Sequence, residues 1–188
     1  MIYLDHNASA PLHPSAREAM LPWLGQPGNA FSAHGVGRRA AAAIEDAREV
    51  VAGLAGVAPK AVIFTSGATE ANATVLSRGR WLVSATEHPS VLSWAAGEIP
   101  VDSHGVLDLP FLHAHAGDFD GISVMLANNE TGVVQPIAEV AAIARSHGLR
   151  LHVDASQAPG RVPLVPADFV TLSAHKLGGP QGIGALLT

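Results

Sequence analysis

The sequence predicts an α/β fold, with three αβα layers built on a mainly parallel sheet of seven strands. Two observations carry this expectation. Seven short β-rich runs punctuate the 188 residues, and helical segments alternate with them through most of the chain, as when crossover helices join parallel strands. Hydrophobic residues make up 48% and charged residues only 14%, enough apolar material to cover both faces of such a sheet.

Taken in order, Pro14 to Leu24 reads as a short helix, with Pro14 in the first turn, where a missing N–H costs nothing. A loop rich in Gly, Pro and Asn runs from Gly25 to His34. A longer helix follows from Val36 to Leu54, with Val36, Ala40, Ala43, Ala47, Val50 and Leu54 on one face. Ala61 to Thr65 is the first strand, Ala68 to Leu76 a helix, and Trp81 to Ser84 the second strand. Pro89 to Ala96 reads as a helix, Ile99 to Val101 as a short strand, and His104 to Asp120 as a loop. Gly121 to Ala127 is a stronger strand, and Ile137 to His147 a helix that stops at Gly148. Leu149 to Val153, Phe169 to Leu172 and Ile183 to Leu187 complete the strands. The last of these has no helix after it to cover the sheet, which predicts a larger parent protein and an exposed sheet surface.

Lys+Arg number 11 against 16 Asp+Glu, a net charge of -5 with no basic patch, so neither nucleic acid nor an anionic membrane is an expected partner. With no cysteine, the chain has no disulfide framework, thiolate metal site or cysteine nucleophile. No signal peptide is visible, and apolar runs break well short of the ~20 residues that span a bilayer. A cytoplasmic protein is expected. Ten histidines include the pair His113 and His115, but no further ligand stands at metal-binding spacing, and no metal is expected.

Ligands of open α/β sheets sit beyond the carboxyl ends of the strands, so the polar residues there are the ones to inspect. Thr65-Ser-Gly-Ala-Thr69 leads into a helix. It either seats a phosphate on free N–H groups or is an ordinary start capped by Ser66 or Thr69. Glu87-His88 follows the second strand, and His88 is either an acid-base or stacking group or a loop residue. Asn128 and Asn129 either orient a ligand or build a turn. Asp154, ending an apolar strand, needs a cationic or N–H partner. Nine of the eleven basic residues are Arg; the lysines are Lys60, in a turn, and Lys176, directly after a buried strand. A desolvated lysine amine can form a Schiff base with an aldehyde cofactor, and an Asp beside a pyridinium nitrogen completes the requirement of pyridoxal phosphate.

Seven segments then match one family in order: Tyr3-Leu-Asp-His-Asn-Ala-Ser-Ala-Pro11, Gly28-Asn29, Phe64-Thr-Ser-Gly-Ala-Thr-Glu-Ala-Asn72, Glu87-His88, Asn128-Asn-Glu-Thr-Gly132, His152-Val-Asp-Ala155 with Gln157, and Ser173-Ala-His-Lys176. The chain resembles the amino-terminal half of a cysteine desulfurase, within the class V aminotransferase group. The resemblance implies the large domain of fold-type I pyridoxal phosphate enzymes over residues 1–188, with 1–15 as an amino-terminal segment and the small domain absent. It makes Lys176 the covalent anchor of the cofactor, Asp154 the partner of its pyridine nitrogen, and His88 a ring-stacking residue that serves in proton transfer. Gln157 would lie near the ring hydroxyl, and Asn129 near that hydroxyl or the substrate carboxylate. The phosphate falls to Ala68 and Thr69, with Ser173 and His175.

The implied reaction takes sulfur from L-cysteine, leaving alanine and a persulfide for iron-sulfur cluster or thio-cofactor synthesis. It also implies a homodimer and a sulfur-acceptor or scaffold partner. Ser9-Ala10 replaces the family's usual Thr-Thr pair. The family's persulfide cysteine, substrate-carboxylate arginine and small domain lie beyond Thr188, so the chain by itself is expected to be inactive. A selenocysteine lyase, an aminotransferase of the same class, or a non-catalytic cofactor-binding fragment are the alternative readings.

Overall fold

The computed structural model describes residues 2–188. Two helices, α1 (Pro14–Leu24) and α2 (Gly35–Ala55), precede a sheet of seven strands. The strands are β1 (Val62–Thr65), β2 (Trp81–Ser84), β3 (Ala95–Ile99), β4 (Gly121–Met125), β5 (Arg150–Asp154), β6 (Phe169–Ser173) and β7 (Gly184–Leu187). Between them lie α3 (Ala68–Leu76), α4 (Pro89–Leu92), α5 (Leu109–His115) and α6 (Ile137–Ser146). The spatial order is β1-β7-β6-β5-β4-β2-β3. Strands β3, β2, β4, β5 and β6 pair in parallel, whereas β7 runs antiparallel to both β1 and β6. The connection from β6 to β7 contains only a short 3-10 turn, Ala174–Lys176, and is too short for the helical crossover a parallel pair requires.

Alternation along the strands builds two cores. Leu82, Ile122, Val124, Leu151 and Val153 pack with Ala52 of α2, Leu112 of α5 and Val140 of α6. Trp81, Val83 and Leu186, pointing the other way, pack with Ala71, Val75 and Leu76 of α3. The layers are therefore helix, sheet and helix, as expected.

Four expectations need correction. The helix from Pro89 ends at Leu92, and Ala95 and Ala96 belong to β3, because pairing with β2 outweighs the helical preference of alanine. Val101 makes only an isolated bridge to Leu107, since Pro100 has no N–H to extend the ladder. The stretch read as a loop, His104 to Asp120, contains α5. Its start carries sequence signals: Asp108 accepts a hydrogen bond from the Phe111 N–H at 2.9 Å, and Pro110 sits in the first turn. Finally, β7 is not an uncovered strand. It inserts between β1 and β6 and is buried along its whole length.

Gly121, at the start of β4, lies under the fully buried Trp81 indole. A Cβ at this position would stand 2.3 Å from Trp81 Cζ3. Gly121→Ala is therefore expected to lower stability by about 1–3 kcal/mol through overpacking, measured as a reduced denaturant midpoint.

Candidate functional site

The carboxyl ends of β1, β2, β4, β5 and β6 converge on one cavity of about 390 Å³. All nine residues singled out in the sequence border it, although they come from five separate stretches of chain. Lys60 does not. It sits in a 3-10 turn, Pro59–Ala61, ahead of β1.

On one side, α3 begins without a side-chain cap. Its N-cap is Gly67, with φ 154° and ψ -179°, so of the two readings of this segment, the ordinary start capped by Ser66 or Thr69 is not the one observed. That backbone angle favours glycine over residues with a Cβ. The Ser66 N–H is already taken by Glu70 Oε2 at 2.5 Å, an interaction that holds the Glu70 carboxyl below its usual pKa. The first-turn N–H groups of Ala68 and Thr69 have no carbonyl within the helix to bind, and the helix dipole adds a positive potential there. Across from them are Ser173, whose hydroxyl lies 3.1 Å from His175 Nδ1, and His175 itself. Desolvation, reinforced by the neighbouring Lys176 charge, lowers the His175 pKa.

Asp154 is 3% exposed and is satisfied by N–H donors. Asn72 Nδ2 donates to its Oδ2 at 2.9 Å, and the Ser156 N–H to its Oδ1 at 2.9 Å. His88 caps α4: its Nδ1 accepts from the Ser90 N–H at 3.1 Å, leaving Nε2 as the nitrogen available to a ligand. The two asparagines of the turn after β4 divide the alternatives between them. Asn128 builds the turn, accepting from Glu130 and Thr131 and donating to the Thr86 carbonyl at 2.8 Å. Asn129 borders the cavity.

Lys176 Nζ donates to the carbonyls of Asn7 at 2.7 Å and Ala8 at 3.0 Å. Partial desolvation lowers its pKa; Asp154 and Asp5 oppose that shift, and Arg161 adds to it. Asn7 was missed by sequence reasoning and ties the amino-terminal segment across the site. Its side chain donates to the Asn129 carbonyl at 3.0 Å and accepts from Arg161 at 3.1 Å, and its own carbonyl also accepts from Gln157 Nε2 at 2.8 Å. The other end of the Gln157 amide accepts from Arg161. Asn7 and Asn72 both stand inside the quoted motifs, but their partners lie 169 and 82 residues away, so no local pattern announces them. The histidine pair of α5 separates: His113 Nδ1 lies 3.1 Å from His147 Nε2, while His115 stacks on the Phe111 ring.

Beneath the cavity the α3 face of the sheet, otherwise apolar, carries a buried polar cluster. His152 is wholly buried, with Ser123 Oγ 2.8 Å from its Nδ1 and Thr171 Oγ1 3.0 Å from its Nε2. Burial lowers its pKa from 6.5 to about 4, against the opposing charge of Asp154. The buried Glu87 carboxyl, which accepts from the Met125 N–H, is raised well above 4.5 by burial and by Asp154. The two groups give opposite pH slopes. For His152 the fold prefers the neutral ring, so its contribution is complete above 6.5 and is lost as the pH falls from 6.5 to about 4. For Glu87 the fold prefers the neutral acid, so its contribution is complete below 4.5 and is lost as the pH rises from there through the raised value. Glu87→Gln should remove the second slope. In that variant, unfolding free energy is expected to fall by about 3 kcal/mol between pH 7 and pH 4, read from denaturant midpoints. A flat profile would contradict the buried neutral imidazole.

The aminotransferase class-V family model matches residues 2–188. The chain belongs to the class V aminotransferase family. The family depends on pyridoxal phosphate. Among curated relatives, this class V chain is 41% identical to the cysteine desulfurase of Rattus norvegicus, over 98% of this chain and 47% of that protein. It is 40% identical to the cysteine desulfurase IscS of Dechloromonas aromatica, over 98% of this chain and 52% of that protein. The class V chain thus spans about half the length of the curated relatives it matches. Its fold superposes on a NifS-like protein from Rickettsia africae with a TM-score of 0.94 and 34% identity, covering 100% of this chain and 58% of the other. SspA in complex with cysteine gives a TM-score of 0.91 and 30% identity, covering 100% of this chain and 61% of the other.

Proposed function

We propose that residues 1–188 form the cofactor-binding large domain of a pyridoxal phosphate-dependent cysteine desulfurase, with 1–15 as its amino-terminal segment and a small domain outside this sequence. The supporting observation is the meeting, at one cavity, of a lysine amine, a buried carboxylate and an uncapped helix start. Pyridoxal phosphate matches what these residues leave open. The N–H groups of Ala68 and Thr69 await an anion, and the buried Ser156 hydroxyl at the cavity wall has no protein partner. A cavity of about 390 Å³ is also of ligand-binding size.

When bound, pyridoxal phosphate supplies an aldehyde that takes up amines and a ring that draws electrons from the atoms attached there. The protein's part is to hold and to move protons. Ala68 and Thr69, with Ser173 and His175, hold the phosphate. Asp154, pinned by Asn72 and Ser156, would favour a proton on the ring nitrogen of the bound cofactor. Lys176 Nζ is the covalent anchor, and its lowered pKa leaves more of the amine in the nucleophilic form. His88, whose Nε2 is free to exchange a proton, would face the ring of the bound cofactor, and Gln157 and Asn129, which border the same cavity, would bind its hydroxyl or the substrate carboxylate.

L-cysteine is the proposed substrate, in keeping with the names of the relatives and with the cysteine-bound structural neighbour. Sulfur removed from it must be handed on, which calls for an acceptor protein serving iron-sulfur cluster or thio-cofactor synthesis. A cytoplasmic homodimer is the proposed form. Among the described residues no helix is long and apolar enough to cross a membrane. The apolar surface that would support association lies at the amino-terminal end, where Leu4, Trp23, Leu24 and Phe31 are exposed and α1 buries none of its residues, and at the β1 edge of the sheet, where Ile63 is exposed.

The chain contains no cysteine, so the persulfide cannot form on it. The test is alanine and sulfide release from L-cysteine. The 188-residue chain with added pyridoxal phosphate is expected to match free cofactor, and a parent protein that supplies a thiol is expected to turn over steadily. No turnover by such a parent would remove the desulfurase reading.

A further inference from the structure

The hydrogen bonds behind His88 determine which of its nitrogens carries the proton. The chain of contacts starts at Asp154, whose carboxylate can only accept. Asn72, wholly buried, must therefore turn its Nδ2 toward Asp154 Oδ2, at 2.9 Å. The same Nδ2 donates a second time, to Ser90 Oγ at 3.0 Å. This orientation leaves Asn72 Oδ1 buried without a partner, a cost tolerated because the flipped amide would set oxygen against the carboxylate. With an N–H arriving at its oxygen, Ser90 has its own hydroxyl proton free for His88 Nδ1, 2.8 Å away. The Ser90 backbone N–H aims at the same nitrogen from 3.1 Å. Two donors converge on Nδ1, which leaves no room there for a ring proton.

We propose that Asn72 and Ser90 are positioning residues that hold neutral His88 as the Nε2–H tautomer, so that it meets the cavity as a hydrogen-bond donor and proton source. The role in the cavity rests on the cofactor-site reading above; the tautomer itself does not. In that form His88 Nε2 can donate to an atom gaining negative charge, and it becomes an acceptor there only after giving up its proton. The direction of first proton movement at His88 is thereby set by a carboxylate three hydrogen bonds away.

The test is nitrogen NMR of the cofactor-free 188-residue chain, labelled on histidine, at a pH where the His88 ring is neutral. The assignment of the His88 signals comes from a His88→Gln variant. The wild-type chain is expected to show a protonated Nε2 and an unprotonated Nδ1. Ser90→Ala removes the hydroxyl donor and should shift the tautomer ratio toward Nδ1–H by about two- to tenfold, and Ser90→Thr, which keeps the hydroxyl, should restore it. A role confined to packing would leave the ratio unmoved in all three. Wild-type His88 found mainly as Nδ1–H, or a ratio unchanged in Ser90→Ala, overturns the proposal. Because the measurement reads a cofactor-free ring, its failure leaves the desulfurase reading intact, and failure of that reading in turnover leaves the tautomer result intact.

Discussion

Lys176→Ala is expected to abolish covalent attachment of pyridoxal phosphate, with no absorbance from a protein-bound imine. Borohydride reduction of the wild-type chain should place a pyridoxyl label on Lys176 and leave Lys60 unmodified. The expectation comes from position. Lys176 stands in the connection that follows β6, with its amine at the cavity, whereas Lys60 lies in the turn before β1 and keeps away from it. Lys176→Arg retains the charge but not the chemistry and should fail equally, since a guanidinium stays protonated and forms no imine under these conditions. The fold should tolerate both changes, because the Nζ contacts are two hydrogen bonds to main-chain carbonyls near the surface. An intact label in Lys176→Ala would remove this residue from the site.

The second large effect belongs to Asp154. Asp154→Asn, in the full-length parent, is expected to cut turnover by about 10- to 1000-fold, since an opposite charge at contact shifts a pKa by about 1–3 units and an amide lacks that charge. Its fold should survive with modest loss, as the amide oxygen can still accept from Asn72 or Ser156. The decisive measurement is turnover alongside thermal unfolding. Full activity in a well-folded Asp154→Asn protein would show that ring-nitrogen charge is set elsewhere.

Local patterning made most of the fold legible. The helices α1 and α3 and the strand β2 span the residues the sequence predicts, α3 doing so without a side-chain cap. The failures have local causes of their own. α4 is shorter than the sequence predicts because alanine favours helix only where no strand offers to pair, and here β2 does. α5 forms where a loop is predicted, and Asp108 and Pro110 mark its start. The placement of β7 lay beyond local patterning: an apolar run names a strand and the short connection from β6 makes that pair antiparallel, but the pairing of its other edge with β1 joins segments more than a hundred residues apart and is decided in three dimensions.

The sequence by itself determined the fold class, the family and the nine residues at the cavity, because motif spacing and the positions of polar groups after strands are one-dimensional properties. Only the tertiary structure decided who holds those residues. Asn72 reaches Asp154 and Ser90 across the sheet face, Asn7 reaches Lys176 from the opposite end of the chain, and burial shifts both Glu87 and His152 toward their neutral forms. Hydrogen-bond partners and desolvation depend on distances between elements remote in sequence, and those distances exist only once the sheet has brought the strand ends together.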